Sequence, residues 1–133
     1  MSVFEPALVA HLQADPQLNG LINGRLRPGR LSSPETLPAV VYQRISTVRR
    51  STFDGSLLMA ETRFQFDVWA ERQADVAPVS FALTRALHGY NGYMGDFYVQ
   101  IPRQSNEFDS YETDTGLYRR MCEFIVWHSE GNE

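Results

Sequence analysis

The chain has 133 residues, of which 43% are hydrophobic and 21% charged, and its net charge is −4. The length fits one domain, 1–133, and the composition is that of a globular protein and excludes a disordered one. The negative charge argues against a general nucleic-acid binder, because phosphate affinity depends on Lys and Arg.

The N-terminal sequence and the cysteine content argue against secretion and membrane insertion. Glu5, Pro6 and His11 interrupt the apolar residues at the N-terminus and no basic region precedes them, so we expect no signal peptide. No run approaches the roughly 20 apolar residues of a membrane span. The lone cysteine, Cys122, has no partner for an intramolecular disulfide. We therefore expect a soluble protein that is made in the cytosol and has no membrane partner.

Charge is divided unevenly along the chain, and all 12 basic residues are arginine. Residues 1–50 hold six arginines against three acids, whereas residues 51–133 hold six against thirteen. Four of those acids lie between positions 104 and 116: Glu107, Asp109, Glu112 and Asp114. Such a polarised chain can pair with copies of itself, although two solvated loops would give the same pattern.

The first third of the chain predicts one helix and a long loop. Phe4, Leu8 and Leu12 recur on one face of a helix over 4–14, and Asp15-Pro16 would end it. Residues 19–38 are rich in Gly, Pro, Asn and Ser, which predicts a loop with a brief strand at 24–27.

Two β-prone runs follow, 39–50 and 57–71, and they predict a long hairpin. Phe53 and Asp54 open the turn between them, where Asp-Gly favours the positive φ angles of a tight hairpin. We expect the tip, 47–59, to extend beyond the body of the domain. The second run alternates with a period of two, which predicts one buried face made of Thr62, Phe64, Phe66, Val68 and Ala70.

A second helix is predicted over 75–88, with Asp75 as N-cap, Pro78 in the first turn and Gly89 after its end. Phe81 lies opposite the apolar stripe of this helix, so we expect it on the outer side. The stripe consists of Val76, Val79, Ala82, Leu83, Ala86 and Leu87.

The remainder predicts two strands. Residues 97–101 form a strand that Pro102 places at or near an edge, and 117–128 form a second strand whose buried face carries Cys122, Phe124 and Val126. The glycine-rich segment 89–95 reads as an aromatic turn and 104–116 as a flexible acidic loop. The predicted fold is α+β: a mainly antiparallel four-stranded sheet with a long β-hairpin and two helices packed on one face.

Few residues suit catalysis or metal binding. His11, His88 and His128 lack metal-type spacing, and Cys122 is predicted to be buried. The glycines of 89–95 resemble a phosphate cradle, but the segment follows a helix instead of opening one. The acidic segment matches no calcium loop. We therefore expect no catalytic, cofactor-binding or metal-binding residues.

A surface for binding other protein subunits accounts better for the exposed aromatic and charged residues. Trp69 and Trp127 would lie on the sheet face without helices, and two such aromatic residues suggest an interface. Arg49 and Arg50 on the hairpin could meet the acidic segment of a neighbouring copy. The candidate residues for a subunit or tube interface are Arg49, Arg50, Phe53, Asp54, Trp69, Phe81, Glu107, Asp109, Glu112, Asp114 and Trp127.

Four segments together resemble the tail completion, or tail-to-head joining, family of long-tailed phages, prophages and gene transfer agents. They are Leu37–Tyr42, Arg63–Ala70, Ala86–Gly89 and Tyr118–Trp127, and the Gln-Phe-Asp-Val-Trp-Ala strand is the most specific.

The resemblance implies a tail terminator: a virion protein that forms a ring, usually of six copies, at the head-proximal end of the tail tube. Such a ring ends tube polymerisation and joins the tail to the head. Its implied partners are other copies of the chain, the major tail tube protein and the head-tail connector or stopper, and DNA passes through the ring. The family carries no catalytic residues or cofactors. Two alternatives remain open: a head-side stopper or neck protein, and a small enzyme or ligand-binding domain with a deep pocket.

Overall fold

The computed structural model describes residues 3–32, 35–51, 58–101 and 104–130. Within these ranges the chain is α+β, with three helices and a mixed sheet of seven strands. The helices are α1 (Glu5–Gln13), α2 (Pro16–Ile22) and α3 (Gln73–Leu87). The strands are β1 (Leu26–Pro28), β2 (Ala39–Ser51), β3 (Leu58–Ala70), β4 (Tyr90–Met94), β5 (Phe97–Ile101), β6 (Gln104–Glu112) and β7 (Leu117–Ser129).

The sheet has the order β1-β2-β3-β7-β5-β4, and β6 also pairs with β7. Only β1 and β2 are parallel among these pairs. The long strand β7 pairs with β3 along its length on one side, and with β6 and then β5 on the other. The α+β class is therefore confirmed, whereas the expected four strands and two helices are too few.

The predicted hairpin is present, but β7 flanks its second strand almost to the tip. Tyr42 of β2 faces Phe66 of β3, and β7 accompanies β3 as far as the pair Met59 and Ser129. The described part of β3 therefore belongs to the sheet and does not project as a free arm, contrary to expectation. Phe53 and Asp54 lie outside the described residues.

The expected loop over 19–38 is wrong at its start, because residues 16–22 form α2. The Asp15 carboxylate accepts from the amide of Gln17 at 3.2 Å, and Pro16 occupies the first turn. Leu18 and Ile22 are buried, so tertiary packing stabilises a helix whose glycine and asparagine disfavour it locally.

Helix α3 begins two residues earlier than predicted. Arg72 is the N-cap residue, and Asp75 is the third residue of the helix, where its carboxylate pairs with Arg72 at 2.9 Å. Pro78 therefore lies inside the helix and not in the first turn. Its lack of an N–H removes one helical hydrogen bond.

Two C-terminal predictions are corrected and one is confirmed. The aromatic turn over 89–95 contains strand β4, which pairs with β5. Strand β5 lies between β7 and the edge strand β4, so its expected position at or near an edge is confirmed. The expected flexible acidic loop is strand β6, whose acids face arginines of β7 across the ladder.

The core lies between one face of the sheet and the helices. The alternation predicted from the sequence is confirmed, since Phe64 and Phe66 of β3 and Phe124 of β7 are fully buried. Phe4, before α1, packs on Phe64 with a ring-centroid distance of 6.1 Å. The helices thus cover this inner face only, and the opposite sheet face is available for other contacts.

Candidate interaction surfaces

The sheet face opposite the helices, called the outer face below, carries both tryptophans. Its side chains are Glu61, Arg63, Gln65, Asp67 and Trp69 of β3 and Arg119, Met121, Glu123, Ile125 and Trp127 of β7. Trp69 and Trp127 are each half-buried within the described part of the chain. They lie at opposite ends of the face, because the position opposite Trp127 is eight residues from Trp69 along β3, or roughly 27 Å at the rise of a strand.

One end of the outer face is a fixed cluster around Trp69. The Arg119 guanidinium lies over the indole, 5.2 Å from its centroid, and donates to the Asp67 carboxylate at 3.3 Å. Gln65 donates to the other carboxylate oxygen at 3.0 Å. Asp67 is only 5% exposed, so these donors compensate for its burial. The cluster holds the Trp69 ring in place before any partner arrives.

The other end repeats this arrangement around Trp127. The Arg50 guanidinium lies 5.7 Å from the indole and donates to Glu61 at 3.2 Å. Its neighbour Arg49 donates to Glu130 at 2.7 Å. Both arginines thus have acidic partners in their own chain.

The acidic residues singled out in the sequence come together on β6. Asp109 accepts from Arg120 at 2.6 Å, and this bond lowers the pKa of the Asp109 carboxyl. Glu107 lies 3.8 Å from the same guanidinium, and Glu112 lies 3.9 Å from Arg119. These arginines explain how a strand this acidic remains ordered beside β7.

Asp114 lies in the turn between β6 and β7. Strands β3 and β7 separate Arg49 and Arg50 on β2 from the acidic strand. The two groups therefore do not meet within one subunit.

Phe81 is on the outer side of α3, as predicted, with 60% of its surface exposed. Arg85 lies 5.9 Å from its ring centroid. A shallow cleft of about 310 Å³ separates this part of the helix from β6, with Ser80 and Thr84 on one wall and Gln104 and Glu107 on the other.

A basic surface next to β1 was not singled out in the sequence. Arg27 pairs with Glu35 at 3.1 Å, and Arg25 donates to the carbonyl of Pro38 at 3.0 Å. Arg30 is exposed at the margin of an open cleft of about 540 Å³, which Arg27, Pro28, Leu31 and Ser32 also line. The excess of arginine in residues 1–50 was the one sequence feature that pointed to a basic surface. The fold is what places these side chains together at one edge of the sheet.

His11, His128 and Cys122 have packing roles. His128 is fully buried and stacks on Phe4 at 4.1 Å, and burial lowers its pKa. The ring nitrogen Nε2 of His11 lies 3.2 Å from the carbonyl oxygen of Ala86. Cys122 is buried as predicted, and desolvation raises the pKa of its thiol to about 11, so the reactive thiolate is suppressed.

Two absences concern the described residues only. These residues contain no group of three or more His, Cys, Asp and Glu side chains placed to hold a metal ion. None of their helices has both the length and the apolar character needed to cross a membrane.

The chain is similar to a protein family in sequence and to a solved structure in fold. Residues 6–129 match the profile of a family described as tail completion protein gp17. A chain in a structure described as "Virion of native gene transfer agent (GTA) particle" superposes with a TM-score of 0.68 at 16% identity, covering 98% of this chain and 100% of that one. At this identity the likeness shows a shared fold. No curated protein matches the sequence.

Proposed function

The chain belongs to the tail completion protein gp17 family, and from this premise we propose that it is the subunit of a tail terminator ring. Membership makes it a structural protein of the virion tail and neck and not an enzyme, as expected from the sequence. The ring, of six copies, caps the head-proximal end of the tail tube, ends tube polymerisation and presents a surface to the head connector or stopper.

The extent of the family match carries this proposal. The matched residues, 6–129, run from α1 to the end of β7 and so include every described strand and helix. The shared fold with a chain from a gene transfer agent virion supports the same placement, because that likeness also covers almost the whole chain. We propose that residues 1–133 act as one domain in this role.

The outer face is the surface that we assign to the tube or to a neighbouring subunit. Trp and Arg are enriched among residues that dominate binding energy at interfaces, and here each indole already lies under a guanidinium. Because Asp67 and Glu61 hold those guanidinium groups, little side-chain entropy is lost when a partner covers the rings. Val48, half exposed on β2 beside Glu61, extends the apolar part of this face towards Arg50.

Arg49 and Arg50 remain part of the proposed interface, but they do not reach the neighbour as unpaired charges. Each is exposed and already paired with a carboxylate of its own chain, so a contact with a neighbour would exchange or share that partner. Exposed ion pairs contribute about 0–1 kcal/mol, so these arginines orient the neighbour while the aromatic rings supply affinity.

Electron microscopy of particles from cells that lack the gene tests the proposal. A missing terminator leaves tube growth unchecked, so we expect tails of widely varying length and heads without tails, with normal particles restored when the gene is supplied in trans. Tails of normal length beside heads that lose DNA would identify a stopper instead. Unaltered particles would contradict any role in the neck.

A further inference from the structure

Two edge strands of the sheet, β1 and β6, carry opposite charge. Strand β1 forms one edge, because it pairs only with β2 among the described strands. On the opposite side of β7 from β3, strand β6 is also an edge strand, since β7 is its only partner in the described part of the chain. Strand β4, which pairs only with β5 among the described strands, is a third edge strand. Four strand spacings, or roughly 19 Å, separate β1 from β6.

The β6 edge is acidic and bears exposed aromatic rings. Residues 104–120 contain four carboxylates and two arginines, which leaves two negative charges in excess. Phe108 is 47% exposed on the outer side of β6, and Tyr111 is 52% exposed on the helix side. An exposed edge strand with apolar rings is a liability unless a partner covers it.

The β1 edge is basic and concave. Residues 25–35 contain three arginines and one glutamate, an excess of two positive charges that matches the opposite edge. The cleft of about 540 Å³ lies here, with Arg27 and Arg30 beside the apolar surfaces of Pro28 and Leu31. Its size and lining suit an aromatic side chain flanked by carboxylates.

We propose that the β6 edge of one subunit docks against the β1 edge of the next copy of this chain. Phe108 enters the cleft, and Glu112, which shares the outer side of β6 with Phe108, meets the arginines at its margin. Because each subunit uses one acidic and one basic edge, the contact is head-to-tail and closes into a ring after a fixed number of copies. This inference rests on the proposed function and specifies how the ring is made.

Strand β1 also limits the contact to side chains. It has three residues, and Pro28 has no N–H to donate to a neighbouring strand. The carbonyl of Pro28 already accepts from the amide of Arg30 at 2.9 Å. A continuous backbone ladder between subunits is therefore disfavoured, so charge and shape determine the register.

Cysteine cross-linking in assembled particles tests the contact. The double variant Arg30→Cys/Glu112→Cys, treated with a short bismaleimide, should give a ladder of covalent dimers, trimers and larger species on a denaturing gel. Each single variant should stay monomeric, since one cysteine per subunit has no partner across a head-to-tail contact. The pair Gln13→Cys/Asp96→Cys, exposed and on neither β1 nor β6, is the matched control and should stay monomeric.

Two results would overturn the inference. One is a double variant that assembles normal tails without any ladder. The other is a dimer from either single variant, which would mean that an edge packs against its own copy. These results differ from a failure of the proposed function. In that case tails would keep their normal length in cells that lack the gene, whatever the cross-linking shows.

A charge swap keeps the test decisive if the cysteine variants assemble poorly. Arg30→Glu and Glu112→Arg should each lower the fraction of heads with tails by about tenfold, because like charges then face each other, and the double variant should recover to within about twofold of wild type. Circular dichroism checks that each variant folds. Folded single variants without effect, or a double variant no better than the singles, would refute the contact.

Discussion

A series of hydrogen bonds, buried at His128 and Thr62, makes Thr62→Val a sharp test of how strands β2, β3 and β7 are held together. The Ser129 carbonyl can only accept, so Nδ1 of His128 donates to it at 3.1 Å and the neutral ring presents Nε2 as an acceptor. The Thr62 hydroxyl therefore donates to Nε2 at 3.0 Å and accepts from Thr47 at 3.1 Å. Thr47 in turn accepts from Arg44 at 2.8 Å.

Valine keeps the shape of threonine but removes the middle hydroxyl. Nε2 of His128 is then left without a donor in a site where both His128 and Thr62 have no exposed surface. An unsatisfied buried group of this kind costs about 1–3 kcal/mol. Thr47 is only partly buried, so water can replace its lost partner. We expect a loss of about 2 kcal/mol, or roughly 8 °C in Tm for a chain of this size.

Calorimetry and urea unfolding at pH 7.5 measure this loss. Thr36→Val, at an exposed loop position, is the matched control and should change the free energy of unfolding by less than about 0.5 kcal/mol. If Thr62→Val melts within about 2 °C of wild type, the assigned donor directions and the expected loss in the free energy of unfolding are wrong.

Three further outcomes are expected. Burial lowers the pKa of His128 below the value of about 6.5 in the unfolded chain, so unfolding takes up a proton and stability falls as pH drops from 7.5 to 5.5. His128→Gln should flatten this slope and His88→Gln should not; equal slopes would exclude His128. Because the pKa of Cys122 is raised to about 11, a maleimide at pH 8 should modify it only after denaturation, and rapid labelling of native protein would contradict its burial. Trp127→Ala should impair tail assembly, while Tyr93→Ala, at an exposed position on β4, should not. If both variants assemble tails as well as wild type, the outer face is not an interface.

Local periodicity was sufficient to predict the central elements. The alternation from Thr62 to Ala70 located the buried face of β3, and the helical stripe placed Phe81 outside. Both patterns reflect burial on one side of a regular element, which the sequence records directly. The half-buried tryptophans on the uncovered face follow from the same alternation.

Strand β6 and helix α2 depend on partners that are distant in the sequence. The acids of β6 favour a loop until Arg119 and Arg120 are aligned beside them by the β6–β7 register. Helix α2 forms because Leu18 and Ile22 enter the core. The guanidinium groups over the tryptophans likewise come from other strands, Arg119 from the adjacent strand and Arg50 from the strand beyond it, so no local pattern reveals them.

The most direct test of the central claim is a cryo-electron microscopy reconstruction of the neck of wild-type particles. The proposed function predicts a closed ring of this subunit directly on the last ring of the tail tube, with the outer face covered and β6 of each copy against β1 of the next. Density for the subunit on the head-side connector, at the distal tip of the tail, or as an unclosed single copy would contradict it.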